Sequence, residues 1–292
     1  GVLNGGAIEL VNGVEWFRGM GSKVFLRPPP GAPDDFYVRL GEYFNPAPTN
    51  FSKINPHELW RTLPLIDMLK KAGGPPTDYE RVVSSSPADP WWLELGYLTD
   101  TDQFDVPALH VSSWYDYGPA ESLYQFNLMR KNAISERGRD NQFIIVSPTA
   151  HCGSEKATEQ TILGELNLGD ARLDYWNIYL RWFDYWLKGI QNGVTKMPKV
   201  QVYVMGKNEW RGEGEWPLAR TRFTKFYLHS DGGSNSLQGD GTLSTLEPGD
   251  EPADQFVYDT AYPVPSLGGP LCCTTSPDAP PGAYDQSEVE MR

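Results

Sequence analysis

Two side chains stand where a strand-based fold could do chemistry. Asp116 lies in Trp114-Tyr115-Asp116-Tyr117-Gly118, and His151 lies in Ser147-Pro148-Thr149-Ala150-His151-Cys152-Gly153. Each closely follows a short apolar run, Val106–Ser112 in one case and Gln142–Ser147 in the other. A carboxylate that accepts a hydrogen bond from one imidazole nitrogen fixes the tautomer and stabilises the imidazolium. The other ring nitrogen can then take a proton from a hydroxyl nucleophile and return it to a leaving group. Two blander roles are also open. An aspartate after a strand serves as a turn or cap residue, here ahead of Pro119, and a histidine in a Gly- and Pro-flanked loop can simply face water.

The elements around these residues predict an α/β arrangement. Both apolar runs read as buried strands. Between them Pro119–Lys131 has helical spacing, with Glu121 early and Arg130-Lys131 late, as the helix dipole favours. Strand, helix, strand is the βαβ unit of a parallel sheet, whose carboxyl ends collect function. A right-handed crossover sets the two loops side by side. Acid before histidine fits the later part of the Ser…Asp…His order found on α/β sheets. No G-x-S-x-G elbow occurs. The simplest expectation is a nucleophile upstream of Gly1.

Further along, a long helix is expected with Asp170 as its N-cap. Leu173, Trp176, Leu180, Phe183 and Leu187 step by three or four, and Lys188-Gly189 ends it. Val200, Val202 and Val204 then alternate with polar or larger residues. Phe226-Tyr227-Leu228 and Phe256-Val257-Tyr258 read as further short strands, so the last third predicts a sandwich or jelly roll. Ser287–Arg292 reads as the start of another strand. Proline breakers between Arg27 and Pro90 predict an irregular helical insertion.

Composition limits the partners. The chain has 292 residues and a net charge of −13, with no basic footprint for nucleic acid. No apolar run is long enough to cross a membrane. Its 10 Trp, 15 Tyr and 12 Phe exclude a wholly disordered chain. Cys152, Cys272 and Cys273 form no metal or disulfide pattern. No metal or organic cofactor is expected, and a homo-oligomer is compatible with the sequence. His110 reads as a packed strand residue and His57 as a solvated loop residue. His229 lies at a strand end, and Cys152 reads as a buried or idle thiol. Trp176, Trp182 and Trp186 suit packing between domains.

Five motifs carry a family resemblance. Val106-Pro107-Ala108-Leu109-His110-Val111-Ser112-Ser113-Trp114-Tyr115-Asp116 resembles the V-P-x-L-x-V-x-G-W-Y-D signature of the CocE/NonD serine hydrolases. Ser147–His151 resembles their G-P-W-x-H, and Arg181–Gly189 their R-W-F-D-H-W-L-K-G. Val204–Arg211 with Trp216-Pro217 and Tyr258–Gly269 resemble two later motifs in the same order. Ser113 replaces the family glycine, and Thr149-Ala150 replace the tryptophan-containing step.

The resemblance implies a partial α/β-hydrolase core with a helical cap, followed by an incomplete jelly roll. The expected segments are core over 1–26, cap over 27–95, core again over 96–195 and jelly roll over 196–292. It implies Asp116 and His151 as triad acid and base, with the serine and the oxyanion donors upstream. The substrate would be a small-molecule ester or amide, including acyl or X-Pro bonds. Trp60, Trp91, Trp92, Trp114, Tyr115 and Tyr117 are candidates for substrate contact. A non-catalytic, aromatic-rich β module for carbohydrate, or a relative without the nucleophile, are the alternatives. The separation of Asp116 from His151 decides between hydrolase and binder.

Overall fold

A computed structural model describes residues 3–4, 7–8, 17, 59–71, 77–259, 262, 266–270 and 281–290. The described residues fall into two units, one within residues 1–98 and one mainly within 99–272 and 277–292. His57, Cys272 and Cys273 lie outside the described residues.

The first unit holds a two-residue hairpin, β1 (Leu3–Asn4) and β2 (Ala7–Ile8). It also holds three short helices, α1 (Met68–Lys71), α2 (Tyr79–Ser84) and α3 (Trp91–Glu94). Leu59, Met68, Leu69 and Tyr79 are buried together, with Phe17 and Leu65 against them. The Tyr79 hydroxyl donates to the Leu65 carbonyl at 2.7 Å, which removes a polar cost from that small core.

The second unit is built on β3 (Ala108–Tyr115), α4 (Pro119–Lys131), α5 (Glu136–Asp140) and β4 (Gln142–Ala150). It continues with the hairpin of β5 (Ile162–Leu163) and β6 (Leu166–Asn167), and then α6 (Tyr175–Lys188). The strands β7 (Val200–Val204), β8 (Glu209–Glu213), β9 (Tyr227–His229) and β10 (Thr242–Ser244) follow, and α7 (Ser287–Glu290) comes last.

One sheet has the order β3-β4-β7-β8, parallel except for β8. Alternation along β4 assigns its two faces. Ile144 and Val146 pack with Leu123 and Phe126 of α4, whereas Phe143 packs with Trp182 and Ile145 with Tyr175 and Ile178 of α6. With helices on both faces, β4 is buried from Gln142 to Thr149, as a central parallel strand must be. The fully buried Gln142 carries its own solution, since its amide donates to the Val106 and Gly138 carbonyls at 2.7 Å. His110 packs edge-on against Phe126.

Several local expectations shift. The α6 cap is Asp174, whose carboxylate accepts from Asn177 N. Asp170 instead pairs with Arg172. Gly189 ends the helix at φ 72°, as the Lys-Gly signature requires. The face of α6 that meets the sheet carries Tyr175, Ile178 and Trp182. The stripe Trp176, Leu180, Phe183 and Leu187 is 56–77% exposed. The helix has two apolar faces, and spacing alone does not say which one the sheet takes.

Val200–Val204 is a strand, but it pairs with β4, so the sheet continues across residue 196. Phe256, Val257 and Tyr258 are exposed and form no strand, because a strand requires an edge to pair with. Ser287–Glu290 is a helical turn, begun by the Asp285 carboxylate accepting from Ser287 N.

The β9–β10 hairpin ends on a charged clamp. His229 Nδ1 lies 2.7 Å from Glu251 Oε1, and Nε2 lies 3.0 Å from the Leu246 carbonyl. Both partners are acceptors, so the ring donates twice only as imidazolium. The bond to Glu251 holds its pKa above the ordinary value of 6.5. The contribution is therefore complete below about pH 6.5 and fades as pH rises through the raised value. Amide exchange across residues 227–251 is expected to quicken over that rise, and His229→Ala should remove the pH step.

Candidate active site

The site starts from a register shift. Ser113 pairs with Ser147, but Tyr115 pairs with Ala150, so β4 holds one more residue than β3 over this stretch. The extra residue is a bulge, which re-aims the side chains that follow it. Continued from there, the ladder sets Asp116 level with His151.

The chain then turns sharply. Gly153 N donates to the Ala150 carbonyl at 3.0 Å, and Cys152 takes φ 52°, in the left-handed region. His151 and Cys152 are thus the two central residues of a tight turn. Cys152 is an exposed free thiol, so of the two expectations, buried or idle, the first does not hold.

Asp116 and His151 meet directly. His151 Nδ1 lies 3.0 Å from Asp116 Oδ2. The second carboxylate oxygen accepts from Tyr117 N at 2.7 Å, so the acid is fixed by its own turn. His151 and Asp116 are both partly buried. The Tyr117 ring lies 5.3 Å from the imidazole, tilted by 34°. With the carboxylate accepting at Nδ1, the proton belongs there in the neutral ring, and Nε2 is the free base. Among the described residues no hydrogen bond reaches Nε2, and no serine hydroxyl bonds to His151.

The remaining candidates are placed as follows. Trp114 alternates to the opposite face of β3 from Ser113, and its indole donates to the Tyr203 carbonyl at 2.9 Å. It is half-buried and packs at 5.9 Å from Trp216, against the apolar cluster beneath α4. Tyr115 is half-buried at the strand end. Trp91 and Trp92 pack on each other at 4.9 Å in the first unit, where the Arg81 guanidinium covers Trp91. Trp60 belongs to the same unit, ahead of α1 in the chain. Among the described residues no cluster of His, Cys, Asp or Glu could hold a metal ion.

Sequence reasoning missed a buried group behind the pair. The hydroxyls of Ser113, Ser147, Thr149 and Ser154 are joined by five contacts of 2.7–3.1 Å. The signal was present as two departures from the resemblance, Ser113 and Thr149.

Fold and site together define a mixed α/β protein with its polar pair at the carboxyl ends of adjacent parallel strands. Residues 192–283 match the X-Pro dipeptidyl-peptidase C-terminal non-catalytic domain. Over 216 residues the chain is 33% identical to a cocaine esterase of Rhodococcus sp. (strain MB1 Bresler), covering 73% of this chain and 35% of that protein. A CocE/NonD family hydrolase from Staphylococcus aureus aligns at a TM-score of 0.37 and 16% identity, over 60% of this chain and 28% of that one. An aminopeptidase from a marine sediment Thaumarchaeota archaeon aligns at 0.45 and 22%, over 66% and 30%. The two sequence matches support a member of the CocE/NonD hydrolase family, and the chain spans about a third of the length of the cocaine esterase it matches.

The turn makes a sharp demand on residue 153. A Cβ there would stand 2.9 Å from the Ala150 carbonyl and 3.3 Å from Thr149 Cβ. Gly153→Ala should open the turn and cost about 1–3 kcal/mol. Thermal unfolding should show that loss, and the NMR signal of the His151 ring should show its release from Asp116.

Proposed function

We propose that Asp116 and His151 are the acid and base of a Ser–His–Asp acyl-transfer site, with the serine supplied upstream of this chain. The observation that carries the reading is the 3.0 Å contact between His151 Nδ1 and Asp116 Oδ2, which leaves Nε2 open. His151 Nε2 removes the serine proton as the hydroxyl attacks a carboxylic ester or an acyl or X-Pro amide. His151 then gives that proton to the leaving alcohol or amine. Asp116 holds the tautomer and stabilises the imidazolium between these steps. Water enters by the same route in reverse and frees the acid. Donors outside this chain hold the oxyanion, each typically worth about 2.7–4 kcal/mol.

Tyr117 walls the acyl site through its packing on His151, with Tyr115 at the strand end beside it. Trp60, Trp91 and Trp92 are assigned to a cap segment, and the chain beyond β8 to the first part of a jelly roll. The substrate is a small molecule, and the reaction uses no metal or organic cofactor. The contact between acid and histidine favours a hydrolase over a carbohydrate-binding β module, which would have no reason to join them.

The 292-residue chain is expected to remain unlabelled at serine by a fluorophosphonate probe, as read by mass spectrometry. Labelling of a serine within it overturns the proposed upstream nucleophile. In a polypeptide that extends upstream through the serine, Asp116→Asn should lower kcat by about 10⁴-fold, the cost of a wrong tautomer in such a triad. A fall of less than tenfold would remove Asp116 from the acid role.

A further inference from the structure

The hydroxyl cluster behind the acid–histidine pair is closed to water. Ser113, Ser147, Thr149 and Ser154 are all buried, with Ser147 wholly so. Ser113 Oγ lies 2.9 Å from Ser147, 3.1 Å from Thr149 and 3.0 Å from Ser154. Ser147 also reaches Thr149 at 2.7 Å and Ser154 at 2.9 Å. A hydroxyl has one proton and two lone pairs, so three bonds saturate it. Ser113 and Ser147 each have three neighbours. Tyr175 of α6 is buried with its hydroxyl turned toward Ser147 and Ser154, and it has no well-formed bond of its own.

Position gives the cluster its meaning. Ser113 precedes Asp116 by three residues on β3. Thr149 and Ser154 bracket His151, one before the turn and one after it. The contacts from Ser113 therefore tie the acid's strand to both flanks of the base. The group fills the place where β4 bulges, and there the ladder between Ser113 and Tyr115 is interrupted. Two of its members, Ser113 and Thr149, stand where the family pattern has glycine and a tryptophan-containing step. In this chain those two departures are partners, 3.1 Å apart.

We infer that Ser113, with Thr149 and Ser154, is a positioning device: a buried hydroxyl network that locks the His151 turn against the strand of Asp116. None of these hydroxyls touches substrate. They act through His151, so the inference rests on the acid–base reading of the pair. A chain of hydroxyls in a low-dielectric interior is strengthened by mutual polarisation, and a broken member leaves the others unsatisfied. Substitution is therefore expected to reach the histidine even though no bond to it is removed.

The test uses the 292-residue chain labelled with ¹⁵N at histidine, with His151→Ala to assign the ring. Thr149→Val keeps the shape and deletes the hydroxyl, and Thr149→Ser restores a hydroxyl. The wild-type ring should show one tautomer, protonated at Nδ1, with a proton slow to exchange. Thr149→Val should mix the tautomers and speed exchange by about tenfold, the loss expected for one hydrogen bond. Thr149→Ser should return both to the wild-type state. Ser113→Ala repeats the test from the β3 side and serves if Thr149→Val does not fold.

A hydroxyl with a merely structural role would lower the melting temperature and leave the ring signals unchanged, and that result overturns the inference. Equal disturbance by Thr149→Val and Thr149→Ser also overturns it. Hydrolysis does not enter this readout, so failure of the serine-hydrolase reading is seen separately, in the probe and kcat measurements.

Discussion

The parallel pairing of β3 with β4, and the one-residue shift at its end, is the constraint on which the site depends. A parallel ladder fixes height along two strands at once. With the shift, Asp116 stands opposite His151 and both side chains leave the sheet at its carboxyl edge. With an unshifted ladder, Ala150 would take that place and the imidazole would face away. The sheet can hold this register because β4 is gripped from both sides. Its odd residues key into α6 and its even ones into α4, so a slip by one residue would exchange both sets.

A bulge at a buried strand end carries a polar burden. The interrupted ladder leaves hydrogen-bonding capacity in the interior, which costs free energy unless something answers it. Here side-chain hydroxyls fill the space, where a family relative would place a glycine and a large ring. Anchoring from outside completes the arrangement. Tyr179 of α6 donates to Glu155 at 2.6 Å, in the helical turn that begins with Ser154. The histidine turn is thus fastened to β3, to its own strand and to a covering helix.

Much of this arrangement was legible in the residues. Gln142-Phe143-Ile144-Ile145-Val146-Ser147 could be little other than a buried strand, and Pro119–Lys131 carries its start and stop signals in its own charges. Asp116 and His151 were legible because a strand end is a position that topology can locate. The bulge was not, since a register is a relation between two segments and neither one states it alone. For the same reason Val200–Val204 declared itself a strand without naming β4 as its partner. The cap of α6 went to Asp174 rather than Asp170 because both sit ahead of the same apolar repeat. Only tertiary packing selects which turn is the first. The packing of Trp114 on Trp216 was equally invisible, because residues 114 and 216 are joined only by the fold.

The outer stripe of α6 has a consequence for the chain in solution. Trp176, Leu180, Phe183 and Leu187 present a water-facing apolar strip on a molecule of net charge −13. Two copies that approach one another meet a long-range repulsion first and a short-range attraction only at contact. The Debye length shrinks from about 30 Å at 0.01 M ionic strength to about 10 Å at 0.1 M. Dilute buffer therefore keeps the copies dispersed, and added salt lowers the barrier without weakening the attraction. Ionic strength thus governs how closely copies of this chain can approach through that helix face.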